Sequence, residues 1–466
     1  MPSLRTAVIE AVAGAGVSLP ADLDFEVIGT EPVLPSPHHL ATGAAAARLL
    51  TGVGASEMWR VRTGRPQSLS VDARHAAAAL TSFAHVEFLE PDRRPAESER
   101  RSWARRITAI VEAQGSRYVQ LHGSFNDGPV ILSELGLDTS ATPEDIAAAV
   151  RGREAFELEA AFIRHGVCGG VVRTRQEWAA HPQGQALLGR PVVTVTRIGD
   201  GPPRPLPDGG RPASGVRVLD LTRVLAGPTC AKTLAEHGAD VLHVTSPRLP
   251  TAALFDVETG IGKRQAHVDL TDDSGAELLG DLAASADVFS QGYRRGAIDR
   301  HGFGPADLAR LRPGIVYVSE NCYGPVGPWA DRPGWEQLAQ AATGMSHREG
   351  QSDGVPRLAP AAVNDYSTGY LAAYGAMVAL ARRATEGGSW HVEASLCQTA
   401  MWYQELGDDN DPSRADPGDV DPYREEMDTA HYGRIRYLSP ALAMSETPPR
   451  WDLPPAPPGT HAAAWS

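Results

Sequence analysis

The chain has little cysteine, no surplus of positive charge and no long apolar run, and each shortage removes a class of function. Its four cysteines, Cys168, Cys230, Cys322 and Cys397, lie far apart and form no CxxC pair. Neither a zinc knuckle nor a dense disulfide framework follows from such spacing. Acidic residues outnumber basic ones by 57 to 43, a net charge of −14. A chain of that sign is a poor general binder of polyanions, so no nucleic-acid partner is expected. An anionic ligand would need a local basic pocket. The longest apolar stretch, around Leu371 to Ala381, is about half of what a bilayer span requires, so no membrane association is expected. The first residues, MPSLRTAVIEAVAGAGVSLP, lack a basic region followed by an unbroken apolar core, because Glu10 interrupts it. That is not a signal-peptide pattern, and a soluble cytoplasmic protein is the expectation.

What is present suits a packed fold. Of 466 residues, 42% are hydrophobic and 21% charged. At roughly 150 residues per domain, about three domains or one large and one small are expected. Residues 1–40 carry no clear period, and the Ala-rich stretch 41–60 predicts a helix. The charged, Pro-broken stretch 89–105 reads as a solvated linker. A strand at RYVQLHG, helices over 142–151 and 153–165 and a strand at GGVVRT follow. Residues 199–214 (GDGPPRPLPDGGRPAS) are the best domain boundary. Beyond it, strands are predicted at 215–222, 240–245, 265–270, 287–293 and 314–319, with helices over 229–237, 273–285 and 306–312. Strands alternating with short helices predict an α/β fold with a parallel, doubly wound sheet. A long apolar helix is predicted over 366–384, and an acidic, Pro-rich tail of little periodicity begins at Asp408. A faint internal repeat links 41–73 with 367–395: Thr-Gly, an Ala-rich helix, Arg, a Gly turn, then a strand. The segments 188–206 and 432–455 are also loosely alike.

Further absences narrow the chemistry. The first strand-to-helix turn, the usual phosphate site in such sheets, reads Leu225-Ala226-Gly227-Pro228 and lacks GxGxxG. Gly262-Lys263 is no Walker loop, because Val257 stands five positions earlier and Arg264 follows. NAD and ATP are both disfavoured. There is no GxSxG elbow and no HExxH, and the fifteen histidines show no ligand spacing, so no metal is expected. Cations do cluster near strand ends: Arg248; Lys263-Arg264; Arg294, Arg295 and Arg300. Each is as readily a solvated surface charge, but together they predict one phosphate-bearing anion at one end of the sheet. Asp365 precedes the long helix. An N-cap is the plain reading of such a residue, and a held, ionised carboxylate is also what a carboxylate nucleophile needs.

These residues resemble the family III CoA-transferases, the group that contains formyl-CoA transferase, carnitine CoA-transferase and alpha-methylacyl-CoA racemase. The matching strings are GVRVLDLTRVLAGPTCAKTLAEHGADVLHV, GKRQAHVDL, ADVFSQGYRRGAIDRHGFGPADLARLRPGIVYVSENCYGPVGPW, RPGWEQLAQAATG and NDYSTGYLAAYGAMVALARR, spanning about 215–400. The resemblance implies a Rossmann-like large domain, a smaller α+β domain and interlocked homodimers. It implies transfer of CoA between an acyl-CoA and a carboxylic acid, with the CoA thioester as substrate and no permanently bound cofactor. It places the nucleophile at Asp365, and Glu336 as a second polar group at the reacting centre. CoA contacts carry over to Leu225, Ala226, Arg248, Val268, Asp269, Leu270, Thr271, Gly292, Tyr293, Arg294 and Arg300, and to Pro333 through Glu336, which include Trp335.

The pattern also departs from the family. Leu225 stands where formyl-CoA transferase has an active-site glutamine, Ser246 where it has a CoA-binding arginine, and Trp335 where the racemase has its histidine. Chain order differs as well. Residues 115–205 resemble the small domain but precede the large one at 212–405. Residues 1–90 resemble the back half of another large domain, with His39 at its aspartate position, and 406–466 form the return segment. A permuted or degenerate-tandem chain with one catalytic aspartate is the expectation. The alternatives are a racemase-like isomerase and a CoA-binding protein without turnover.

Overall fold

The computed structural model describes residues 4–16, 23–96, 104–124, 127–250 and 252–466. Its centre is a mixed sheet of seven strands. Across it run Arg264–His267, Asp240–Thr245, Arg217–Asp220, Val288–Gln291, Val316–Asn321, Ser389–Ser395 and Val193–Gly199. The first six are parallel, and the last is antiparallel to its neighbour. The five strands expected between 215 and 319 are all present, Asp240–Thr245 with the expected bounds and the others with ends moved by one to three residues. Their side chains are buried almost throughout, as a sheet covered on both faces requires. Chain order reverses between Arg217–Asp220 and Val288–Gln291. In open α/β sheets, that reversal leaves a crevice beyond the carboxyl ends of the strands.

The helix predicted over 366–384 spans Val363–Glu386. It packs lengthwise on the Leu40–Thr63 helix and on the Ala226–Glu236 helix. Small residues allow the close approach: a Cβ built on Gly369 would lie 2.4 Å from the Ala226 carbonyl oxygen. Arg48 on the Leu40–Thr63 helix reaches Glu236 at 2.7 Å, both 2% exposed, and lies over the Tyr370 ring. Each long helix leads into a strand, Leu69–Asp72 and Ser389–Ser395, but the two strands lie in different sheets.

A separate antiparallel sheet of Ala109–Glu112, Tyr118–Leu121 and Gly169–Val171 carries its own core, which includes Val119, Leu158 and Phe162. The acidic tail, read as aperiodic, forms a hairpin of Arg424–Thr429 and Gly433–Leu438. Charged cross-strand partners such as Glu426 and Arg436, 2.9 Å apart, hold it together, so the apolar alternation that marks most strands is missing.

Both lysines of the chain are buried in ion pairs. Lys263 Nζ donates to Asp220 Oδ2 at 2.8 Å and to the Pro228 carbonyl at 2.7 Å. Lys232 pairs with Glu258. Lys263 is therefore neither solvated nor turned toward a ligand, and Arg264 pairs with Asp240 at 2.8 Å. The expected cationic cluster shrinks accordingly.

Candidate active site

The helix bearing Asp365 begins two residues before it, so Asp365 sits inside the first turn rather than ahead of it. First-turn N–H groups have no partner within their own helix and need one from outside. Glu336, the first residue of the Glu336–Thr343 helix, supplies it. Its carboxylate accepts the N–H of Asn364 at 3.1 Å and that of Asp365 at 2.7 Å. It also accepts from the side chains of Asn364 and Gln340, at 3.2 and 2.6 Å. The capping reading of Asp365 therefore fails for a definite reason: another residue does the capping. No cap bond ties the Asp365 carboxyl to its own helix, and it lines a cleft of about 650 Å³.

Electrostatics bind the two acids together. Burial pushes the Glu336 carboxyl up to about 7, against the hydrogen bonds it accepts. Burial, and then the charge of Glu336, push Asp365 well above the ordinary carboxyl range. A basic carboxylate in a poorly hydrated site is a strong nucleophile once ionised.

The cleft lies at the predicted end of the sheet and gathers many of the expected residues. Leu225 and Ala226 come from the turn after Arg217–Asp220, Gly292, Tyr293 and Arg294 from the loop after Val288–Gln291, and Pro333, Gly334 and Trp335 from the segment before Glu336. Trp335 stacks on His122, with ring centroids 5.6 Å apart. Val224, in the same turn, holds a left-handed φ of 71°, an uncommon conformation for a β-branched residue.

Other expected residues lie elsewhere. Glu336 stands behind Asp365 and does not line the cleft. Arg248 and Asp269 form an ion pair with each other, and Asp269 also accepts the N–H and hydroxyl of Thr271 at 3.1 and 2.8 Å. Val268 is buried in an apolar cluster against which Leu270 packs. Arg300 is exposed beyond the cleft.

Several cleft residues escaped the sequence reading. Ser124, Asp127 and Cys168 come from the segment before residue 205 and line the same cleft as Asp365. Asp127 Oδ2 accepts the Ser124 hydroxyl at 2.9 Å and the Cys168 N–H at 3.0 Å, which joins them into one wall. Arg332 anchors that wall. It donates to the Gly169 carbonyl and to Glu159, and it lies 4.1 Å over the Trp329 ring. Glu320, at the end of Val316–Asn321, also lines the cleft. Among the described residues no group of three or more His, Cys, Asp or Glu side chains is placed to hold a metal ion. No helix among them is long and apolar enough to cross a membrane.

Comparison with known proteins gives a consistent set. The profile of CoA-transferase family III matches residues 213–407. An acyl-CoA transferase of Gibberella moniliformis is 34% identical over 401 residues, covering 78% of this chain and 70% of that protein. That match extends well beyond the residues the family profile covers. Succinyl-CoA:glutarate CoA-transferase of Mus musculus is 33% identical over 226 residues, covering 46% of this chain and 52% of that protein. Among solved structures, a CAIB/BAIF family protein from Brucella suis is 26% identical, covering 48% of this chain and 65% of that one, with a TM-score of 0.39. The chain thus spans about half of the mouse protein and just under two thirds of the Brucella protein.

Proposed function

The chain belongs to CoA-transferase family III, and from that premise we propose that it moves CoA between an acyl-CoA and a carboxylic acid through covalent intermediates on Asp365. The observation that carries this reading is the division of labour at the helix start. Glu336 takes the backbone N–H groups, and the Asp365 carboxyl is left to face a cleft large enough for the working end of a CoA thioester.

The steps balance without a net proton. An Asp365 oxygen attacks the thioester carbonyl, the C–S bond breaks, and CoA leaves as thiolate. The thiolate then attacks the Asp365 carbonyl carbon of the mixed anhydride and expels the first acid as carboxylate. The acceptor carboxylate attacks this aspartyl thioester, and the thiolate returns to the acceptor's acyl carbon, freeing Asp365. Splitting the exchange in this way replaces one hard displacement with several easier ones. The N–H groups of Asn364 and Asp365 are already engaged by Glu336. The oxyanions are therefore assigned to the first N–H groups of the Ala226–Glu236 helix, which have no partner within that helix. Arg294 and Arg295, at the cleft margin, suit the phosphates of CoA.

In this reading the large sheet is the Rossmann-like part, and residues 115–205 are the small domain set ahead of it. Residues 1–90 are a partial second copy with no aspartate at the position equivalent to Asp365, since His39 holds that position and pairs with Asp409 at 2.9 Å. Sedimentation tests the interlocked homodimer that the resemblance implies. Asp365 itself is tested by incubating the protein with acyl-CoAs and hydroxylamine. An aspartyl hydroxamate at residue 365 is expected, absent in Asp365→Asn, with turnover down by at least about 10³-fold. Unchanged turnover in Asp365→Asn would overturn the assignment.

A further inference from the structure

Glu336 and Gln340 stand four residues apart on the Glu336–Thr343 helix, so their side chains share one face of it. Gln340 is 1% exposed and does not line the Asp365 cleft. Its amide is clamped at both ends. The oxygen accepts the Ala359 N–H at 2.8 Å, in the segment that leads into the Val363–Glu386 helix, and the nitrogen donates to Glu336 Oε1 at 2.6 Å. The Ala359 contact settles which way the amide faces, because the reverse orientation would set donor against donor and acceptor against acceptor. Glu336 Oε1 meets the Asn364 N–H at 3.1 Å, and Oε2 meets the Asp365 N–H at 2.7 Å. The terminal torsion of a Glu side chain is broad, so both N–H groups are served only while something fixes the plane of the carboxylate. The Asn364 side chain, 3.2 Å from Oε1, belongs to the helix that is being held and is no independent anchor. Gln340 is one.

We propose that Gln340 is a positioning residue for the transfer reaction, which fixes the plane of the Glu336 carboxylate and, through it, the backbone of Asp365 at the cleft. A chain of contacts runs from the Ala359 N–H through Gln340 and Glu336 to the Asp365 N–H. The segment before the nucleophile's helix and the first turn of that helix are thereby tied to one neighbour, the Glu336–Thr343 helix. Hydrogen bonds to a carboxylate are among the stronger ones a protein makes, and they hold direction as well as distance. Gln340 touches no substrate, so its effect falls on the rate of the bound complex and not on binding. This inference rests on the catalytic reading of Asp365 above, and it adds what keeps that residue in place.

The test measures turnover and calorimetric dissociation constants with acetyl-, butyryl- and succinyl-CoA, propionate being the acceptor. Gln340→Met keeps the length of the side chain and removes both of its bonds. Gln340→Glu keeps the shape and the acceptor for Ala359, but sets an acid against Glu336, and it carries the test if Gln340→Met does not fold. Each is expected to lower kcat by about tenfold or more, while the dissociation constant of the thioester stays within about twofold. A double-mutant cycle separates positioning from mere stability. Once Glu336→Ala has removed the carboxylate, adding Gln340→Met should slow turnover by no more than about twofold further. Wild-type kcat in either variant would overturn the proposal. So would a loss that lies in binding, or a full second loss in the double variant. Coupled losses without any aspartyl hydroxamate in the wild type would remove the role of Asp365 and leave the Gln340–Glu336 unit standing. A wild type that turns over none of the three thioesters would overturn both readings.

Discussion

The carboxylate of Glu336 accepts the main-chain N–H of Asp365 at 2.7 Å. One acid thus fixes the backbone of the other and, after burial, adds to its proton affinity. The two titrate as a pair, with macroscopic steps that belong to both.

That pairing predicts a pH profile. Asp365 must lose its proton to attack, and Glu336 is raised to about 7 by burial. The kcat/KM should therefore climb toward alkaline pH as Asp365, held well above the ordinary carboxyl range by burial and then by Glu336, ionises. Glu336→Gln removes the neighbouring negative charge and should move the climb to lower pH by about one unit or more. A profile that stays in place would mean the two acids are not coupled. Stability has its own sign. A carboxyl raised in the fold stabilises it fully below its ordinary pKa of 4.5, and that contribution is lost as pH rises through about 7. Chemical denaturation of Glu336→Gln should accordingly vary less than the wild type between those limits.

Gly369 predicts a positional effect. Its absent Cβ leaves the Ala226 carbonyl room to approach the Asp365 helix. Gly369→Ala would force the two helices apart. Overpacking of this kind costs about 1–3 kcal/mol, and a displacement near 1 Å at the nucleophile costs on the order of 100-fold in rate. Thermal unfolding and kcat together check it. A variant as active as the wild type would show that the close approach does not position Asp365.

The wall of the cleft predicts a third result. Glu159 lies between Arg173, 2.9 Å away, and Arg332, all three nearly sealed from solvent. Burial pushes Glu159 up, but the two guanidinium groups overcome it and hold the carboxyl below its ordinary range. Its contribution is therefore present above that range and lost on acidification through the depressed value. Glu159→Gln leaves two buried cations facing each other and should destabilise the protein by about 3 kcal/mol near neutrality. It should raise KM for acyl-CoA through Arg332, with less effect on kcat, and the acid-induced loss seen in the wild type should be smaller.

The sheet was legible because its strands are short apolar runs punctuated by turn residues. GVRVLDLT and GIVYVS could hardly be anything else. Two strands were less so: the edge strand Val193–Gly199 exposes threonine and arginine, and Ser389–Ser395, inside the sheet, was visible only through the repeat. Asp365 emerged from its motif, not from spacing, which favoured a cap. The structure removed that ambiguity by showing the cap elsewhere. Glu320 escaped notice because a lone acid after VYVS reads as a strand leaving the core for water. The signal was present, since every residue from Val316 to Val318 is buried and the strand has sheet on both sides. Ser124, Asp127 and Cys168 could not be joined to Asp365 from the sequence at all. Nothing in a chain two hundred residues long between them says which loops meet.

That meeting has a consequence for how the site is inherited. The wall and Asp365 are encoded in one reading frame, with the wall translated first. A ribosome therefore delivers them in equal number. Any cut near residue 212 would part Asp365 from the Ser124, Asp127 and Cys168 side of the cleft it lines.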